Sequence, residues 1–121
     1  MSRILVIEDE QELRTMLAEE LADLGHDVAV AENGAAGLEQ VDARDPQLIF
    51  CDLAMPVMAG LDFLRAYARR PAPRAPVIVV SAYGAQDDLK AAEAAGADGY
   101  LRKPIDFDEM EALLDARLAA A

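Results

Sequence analysis

Three carboxylates in this sequence directly follow short apolar runs. Glu8 and Asp9 come after Ile4-Leu5-Val6-Ile7, and Asp52 comes after Leu48-Ile49-Phe50-Cys51. A hydroxyl, Ser81, follows Val77-Ile78-Val79-Val80, and an ammonium, Lys103, follows the run that ends at Leu101. If the runs are strands of one parallel sheet, these side chains converge at its carboxyl end, where such sheets bind ligands. Three carboxylates in one place repel each other and raise at least one pKa unless a cation neutralises them. Oxygen ligands without cysteine or histidine suit Mg²⁺. A carboxylate nucleophile, Mg²⁺, an ammonium and a hydroxyl are the parts needed to accept a phosphoryl group, a reaction governed by positioning and charge neutralisation.

The elements that must position these groups alternate along the chain. The runs at 4–7, 48–51 and 77–80 are continuous and apolar, rich in β-branched residues, as in strands covered on both faces. Val28-Ala29-Val30 and Asp98 to Leu101 read as two shorter strands. Between them lie helical patterns. Leu13, Met16, Leu17, Leu21 and Leu24 form the first, closed by Gly25. Asn33 caps a second helix that carries Leu38 and Val41 and ends before Pro46. Leu61, Phe63 and Leu64 open a third, which stops in the proline-rich loop from Arg70 to Pro76. Asp87 to Ala95 is a fourth, ended by Gly96. Asp106 and Glu109 form a capping-box-like start for a fifth, with Met110, Leu113, Leu114 and Leu118. A strand followed by a helix, five times over, predicts an α/β fold: a doubly wound, five-stranded parallel sheet with helices on both faces.

Composition narrows the alternatives. The chain has 121 residues, 23 acidic and 11 basic, for a formal charge of −12. That length suits one domain, residues 1–121, with one substantial core. Apolar residues make up 54%, of which 25 are alanine, and the larger ones still amount to about a third of the chain. This is a globular composition, not an acidic disordered tail. The charge argues against nucleic-acid binding, which needs a basic face. Arg65, Arg69, Arg70 and Arg74 are the only local basic concentration, and they read as a solvated helix end. One cysteine, Cys51, excludes an internal disulfide and a cysteine-rich zinc site and reads as a small buried apolar residue. His26 reads as an exposed turn residue. No apolar run is long enough to span a membrane, and the N-terminus lacks the order of a signal peptide. A cytoplasmic location is expected.

With those residues in place, the whole chain resembles the receiver domains of two-component response regulators. The matching stretches are Ile4-Leu5-Val6-Ile7-Glu8-Asp9-Glu10, then residues 48–60 from Leu48 through Asp52, Met55 and Pro56 to Gly60, then Val77 to Ala82, then Gly96 to Pro104. The resemblance implies a flavodoxin-like (βα)5 fold with strand order 2-1-3-4-5. It implies that Asp52 accepts a phosphoryl group from a histidine kinase or phosphotransfer protein. Asp9, Asp52 and the backbone carbonyl of Ala54 would hold Mg²⁺, with Glu8 acting through water. Lys103 and Ser81 would bind the phosphoryl group. Lys103–Pro104 would be a cis bond. Ser81 and Tyr100 would form the switch, Tyr100 turning inward as Ser81 moves. Ala54 and Tyr83 would modulate phosphate loss, because Ala54 has no group to orient a hydrolytic water and Tyr83 shields the site. The implied output is partner binding through the fourth helix, fifth strand and fifth helix. With the chain ending at Ala121, that partner is expected to be a separate target protein and the chain a monomer or weak dimer. No catalytic activity is expected beyond its own phosphorylation and dephosphorylation.

Blander readings stand beside these. Asp52 fits a strand-end turn, Glu8 and Asp9 fit helix caps, Ser81 fits a cap, and Tyr100 fits edge-strand packing. Three other functions compete. A haloacid-dehalogenase-type phosphatase needs a second acid two residues after its nucleophile, where this chain has Ala54. A flavodoxin-like electron carrier needs a phosphate loop where Glu8-Asp9-Glu10 would repel phosphate. A pseudo-receiver, working only as a binding module, would not need the acid pair, Asp52, Ser81 and Lys103 together.

Overall fold

The computed structural model describes residues 2–53, 58–71, 73–81 and 86–119. Ten elements alternate: β1 (Arg3–Ile7), α1 (Gln11–Asp23), β2 (Asp27–Ala31), α2 (Gly34–Ala43), β3 (Leu48–Asp52), α3 (Gly60–Ala68), β4 (Val77–Ser81), α4 (Gln86–Ala94), β5 (Gly99–Arg102) and α5 (Phe107–Ala119). All strand pairings are parallel, and the order across the sheet is β2-β1-β3-β4-β5. The expected fold class and strand order are therefore observed. Among the described residues, no helix is long and apolar enough to cross a membrane.

Alternation along the strands divides the core. Leu5, Ile7, Ile49, Cys51, Val77 and Val79 face a layer built by Val41 of α2, Phe63, Leu64 and Tyr67 of α3, and Ala92 of α4. Ile4, Val6, Leu48, Phe50, Ile78, Val80 and Leu101 face the other layer, built by Leu17 and Leu21 of α1 and Met110 and Leu114 of α5. Because β1, β3 and β4 are covered on both sides, their sequences read as unbroken apolar runs. Fully burying each large side chain contributes roughly 1.5–3 kcal/mol.

Local signals set the helix ends. The Asn33 side chain accepts a hydrogen bond from the Ala36 amide at 2.8 Å and caps α2. The Asp106 carboxylate accepts from the amides of Asp108 and Glu109 at the start of α5. Gly25 and Gly96 have φ of 94° and 112°, a region that only glycine enters readily, and they turn the chain after α1 and α4.

The structure departs from the sequence reading in four places. In α1 only Leu17 and Leu21 are buried, while Met16 and Leu24 are exposed. Met16 lies beside the Leu17–Leu21 row, and Leu24 is already the C-cap. β5 begins at Gly99, because the Asp98 carboxylate accepts from the Val77 amide at 2.9 Å and closes the start of β4. His26 is half-buried, not exposed, since its amide bonds back to the Leu21 carbonyl and draws it across the end of α1. Arg70 is not simply solvated: it pairs with Asp42 of α2 at 2.5 Å and ties the end of α3 to its neighbour.

Candidate functional site

Four strand ends build the site. β1 runs into Glu8, whose amide still bonds to the Ala31 carbonyl of β2 at 2.9 Å. This last ladder-like bond keeps Glu8 level with the sheet, and its side chain is 2% exposed. Asp9, one residue on, is exposed. β3 ends in Asp52, which is buried and in register with Val80. β4 ends in Ser81, also buried. Beyond β5, Lys103 is fastened to β4 by its own amide, which donates to the Ser81 carbonyl at 2.8 Å. Its peptide bond to Pro104 is cis.

Lys103 bridges the two buried acids. Its Nζ lies 3.0 Å from Asp52 Oδ2 and 3.1 Å from Glu8 Oε1. Burial alone would lower the Lys103 pKa, but the hydrogen bonds to Asp52 and Glu8 outweigh it and hold the ammonium above its ordinary value. Glu8 moves the other way from a usual carboxylate. Burial, then the hydrogen bond and charge of Asp52, push it up from 4.5 to about 8, against the pull of Lys103. One ammonium does not compensate two buried carboxylates.

One carboxylate oxygen from each of Glu8, Asp9 and Asp52 lies within 4.8 Å of the other two. Glu8 Oε2 is buried and has no hydrogen-bond partner among the described residues. A buried oxygen without a donor beside two further acids is the donor set a hard cation satisfies, so these residues fit Mg²⁺. Ser81 Oγ is likewise buried and without a partner among the described residues, so a hydroxyl donor stands at the strand ends. Cys51 takes no part: burial, then the charges of Asp52 and Glu8, push its thiol far above the ordinary range.

The geometry beneath Asp52 depends on Gly60. Its amide donates to the Leu53 carbonyl at 3.0 Å, and a Cβ there would press on the Asp52 carbonyl and stand 2.7 Å from Leu53 Cα. Glycine at this position lets α3 start directly under the end of β3.

The site residues read from the sequence divide as follows. Glu8, Asp9, Asp52, Ser81 and Lys103 gather at one end of the sheet. Tyr100 lies on β5 with 41% exposure, its hydroxyl 3.5 Å from Glu93 Oε2, so its ring faces outward. Ala54 and Tyr83 lie outside the described residues. Glu8 and Asp9 are not the cap of α1: Glu10 holds that place, and no side chain bonds there. Sequence reasoning misses Arg14, which donates from Nη1 to the Glu8 carbonyl at 2.8 Å. A basic residue in the first turn of a helix opposes the helix dipole, and that is its available signal.

The family model for the response regulator receiver domain matches residues 4–115. The chain belongs to this family. Among curated relatives, the receiver is 40% identical over 118 residues to the KDP operon transcriptional regulatory protein KdpE of Escherichia coli K12, covering 98% of this chain and 52% of KdpE. It is 37% identical over 116 residues to the two-component response regulator PhoP of Pseudomonas aeruginosa, covering 96% of this chain and 51% of PhoP. The receiver thus spans about half the length of these two relatives. Among solved structures, the receiver domain of NtrX from Brucella abortus superposes with a TM-score of 0.90 at 28% identity, covering 98% of this chain and 99% of that one.

Proposed function

We propose that Asp52 is the phosphoacceptor of this receiver, taking a phosphoryl group from a histidine kinase or phosphotransfer protein with Mg²⁺ present. The observation that carries this is the Asp52 carboxylate at the end of β3, 3.0 Å from Lys103 Nζ and clustered with Glu8 and Asp9. An Asp52 oxygen attacks phosphorus, the phosphorus–nitrogen bond of the donor breaks, and the imidazole leaves with a proton. Lys103 neutralises a phosphoryl oxygen, and Ser81 Oγ donates to another. Asp9, Asp52 and the Ala54 carbonyl would hold the cation, with Glu8 through water; bound there, it supplies charge neutralisation to the transferring group. The chain acts as a phosphoacceptor signalling domain and, in this reading, has no further enzymatic activity.

The output in this reading is the face formed by α4, β5 and α5, where Tyr100 turns inward once Ser81 engages the phosphoryl group. A downstream protein, and not nucleic acid, reads that face. The reading also places this receiver in the cytoplasm, monomeric or weakly dimeric. Ala54 and Tyr83 set the lifetime of the phosphorylated form.

Labelling by acetyl phosphate tests the assignment. Wild-type protein should gain one phosphoryl group, seen by intact mass, in Mg²⁺ and not in EDTA. Asp52→Asn should gain none, and equal labelling of that variant would overturn the assignment.

A further inference from the structure

Residues 8–10 form a three-residue turn between β1 and α1, and both acids of the proposed metal site outside β3 stand on it. The carbonyls of Glu8 and Asp9 share one donor. Arg14 Nη1 donates to the Glu8 carbonyl at 2.8 Å and to the Asp9 carbonyl at 3.3 Å. The Arg14 amide meanwhile bonds to the Glu10 carbonyl at 2.9 Å, so the side chain springs from the helix turn that follows directly.

The choice of partners is informative. A guanidinium normally seeks carboxylates, which match its fork. Here two carboxylates are adjacent in sequence and it takes their backbone carbonyls instead. Arg14 therefore leaves the side-chain oxygens of Glu8 and Asp9 to other partners: Glu8 Oε1 meets Lys103, and Glu8 Oε2 has no hydrogen-bond partner among the described residues. The placement also works against α1, whose N-terminal end carries partial positive charge. A charge-assisted bond to two successive carbonyls fixes both peptide planes, and with them the directions in which the two side chains leave the backbone. Asp9 needs this most, because it is exposed and has no burial to restrain it.

We propose that Arg14 is a positioning residue of the metal site: it locks the Glu8–Asp9 backbone through their carbonyls and so presents two carboxylates to a divalent cation without competing for them. The inference rests on reading Glu8, Asp9 and Asp52 as the Mg²⁺ site. Backbone partners of this kind act on a metal as outer-shell groups do, and losing one weakens metal affinity by roughly 10–100-fold.

The sign of the effect separates this role from simple proximity. A cation near Mg²⁺ repels it, so removing Arg14 as a mere charge would tighten binding. Removing a positioning residue weakens it. Mg²⁺ binding is measured by isothermal titration calorimetry on wild type, Arg14→Ala and Arg14→Lys, each below its own melting transition. The Ala variant is expected to bind about tenfold more weakly, and the Lys variant, which keeps a donor, to fall between. With acetyl phosphate, the half-saturating Mg²⁺ concentration should rise in the Ala variant while the maximal labelling rate at saturating Mg²⁺ stays within about twofold. Unchanged or tighter Mg²⁺ binding in Arg14→Ala, or Lys binding more weakly than Ala, would overturn the proposal. A merely structural role lowers the melting temperature and leaves the Mg²⁺ titration where it was. Absence of Mg²⁺ binding by wild type is a different failure, that of the metal site itself.

Discussion

Replacing Glu8 by Gln should make the metal-free protein more stable at pH 8 and have little effect near pH 5. Glu8 sits with its side chain 2% exposed, and its pKa is raised from 4.5 to about 8 by burial first and Asp52 second. A carboxylate whose folded pKa is raised binds more protons folded than unfolded between those two values. Stability from this group is therefore full below pH 4.5, falls as pH rises, and is gone above about 8. At about 1.4 kcal/mol per pH unit, the interval amounts to at most ~5 kcal/mol. Movement of Lys103 and entry of water reduce this, so we expect a difference of ~2–3 kcal/mol at pH 8. Gln has nearly the same shape, its Oε1 still accepts from Lys103, and it carries no charge to desolvate. The assay is urea unfolding in EDTA at pH 5, 6, 7 and 8. Taking wild type minus variant at each pH cancels the other titrating groups. Adding Mg²⁺ at pH 8 should restore the wild type and help the variant less, because the cation binds the folded state only. A flat difference between pH 5 and 8, or a less stable variant at pH 8, would refute the reasoning.

Two further outcomes are expected. Gly60→Ala forces a Cβ against the Asp52 carbonyl and Leu53 Cα, both backbone; it should lower stability by about 2 kcal/mol in chemical unfolding and slow acetyl phosphate labelling as Asp52 shifts. Polar residues at both Ala54 and Tyr83 should speed loss of phosphate from the labelled protein in a chase experiment; an unchanged or slower rate would count against their proposed part in its lifetime.

Much of the fold is readable because its signals are local. Leu48 to Cys51 spells a doubly covered strand, Asn33 and Asp106 spell helix starts, and Gly25 and Gly96 spell helix stops. Gathering Glu8, Asp9, Asp52, Ser81 and Lys103 needs one extra step, the inference that all five strands end on the same side. The residues that sequence misplaces depend on contacts between distant parts of the chain. Arg70 meets Asp42, and the Asp98 side chain meets the Val77 amide. No periodicity encodes those meetings. Lys103 is expected to serve a phosphoryl oxygen, but its bond to Glu8 spans 95 residues and follows only from β1 and β5 flanking the middle strands. Arg14 escapes notice because its partners are carbonyls, which every residue has.

The division of the core by the sheet has a consequence for how this protein can change over generations. The two apolar clusters have no residue in common, and alternate positions of a single strand serve different layers. Substitutions in α1 or α5 are felt by one cluster, those in α2, α3 or α4 by the other, and effects at such separated sites combine nearly independently. Glu8, Asp52, Ser81 and Lys103 belong to neither cluster and stand at the strand ends, where the sheet that separates the two layers stops. The molecule is in effect two flanks joined along one sheet, so each flank can be rewritten for a new contact while the other keeps its own.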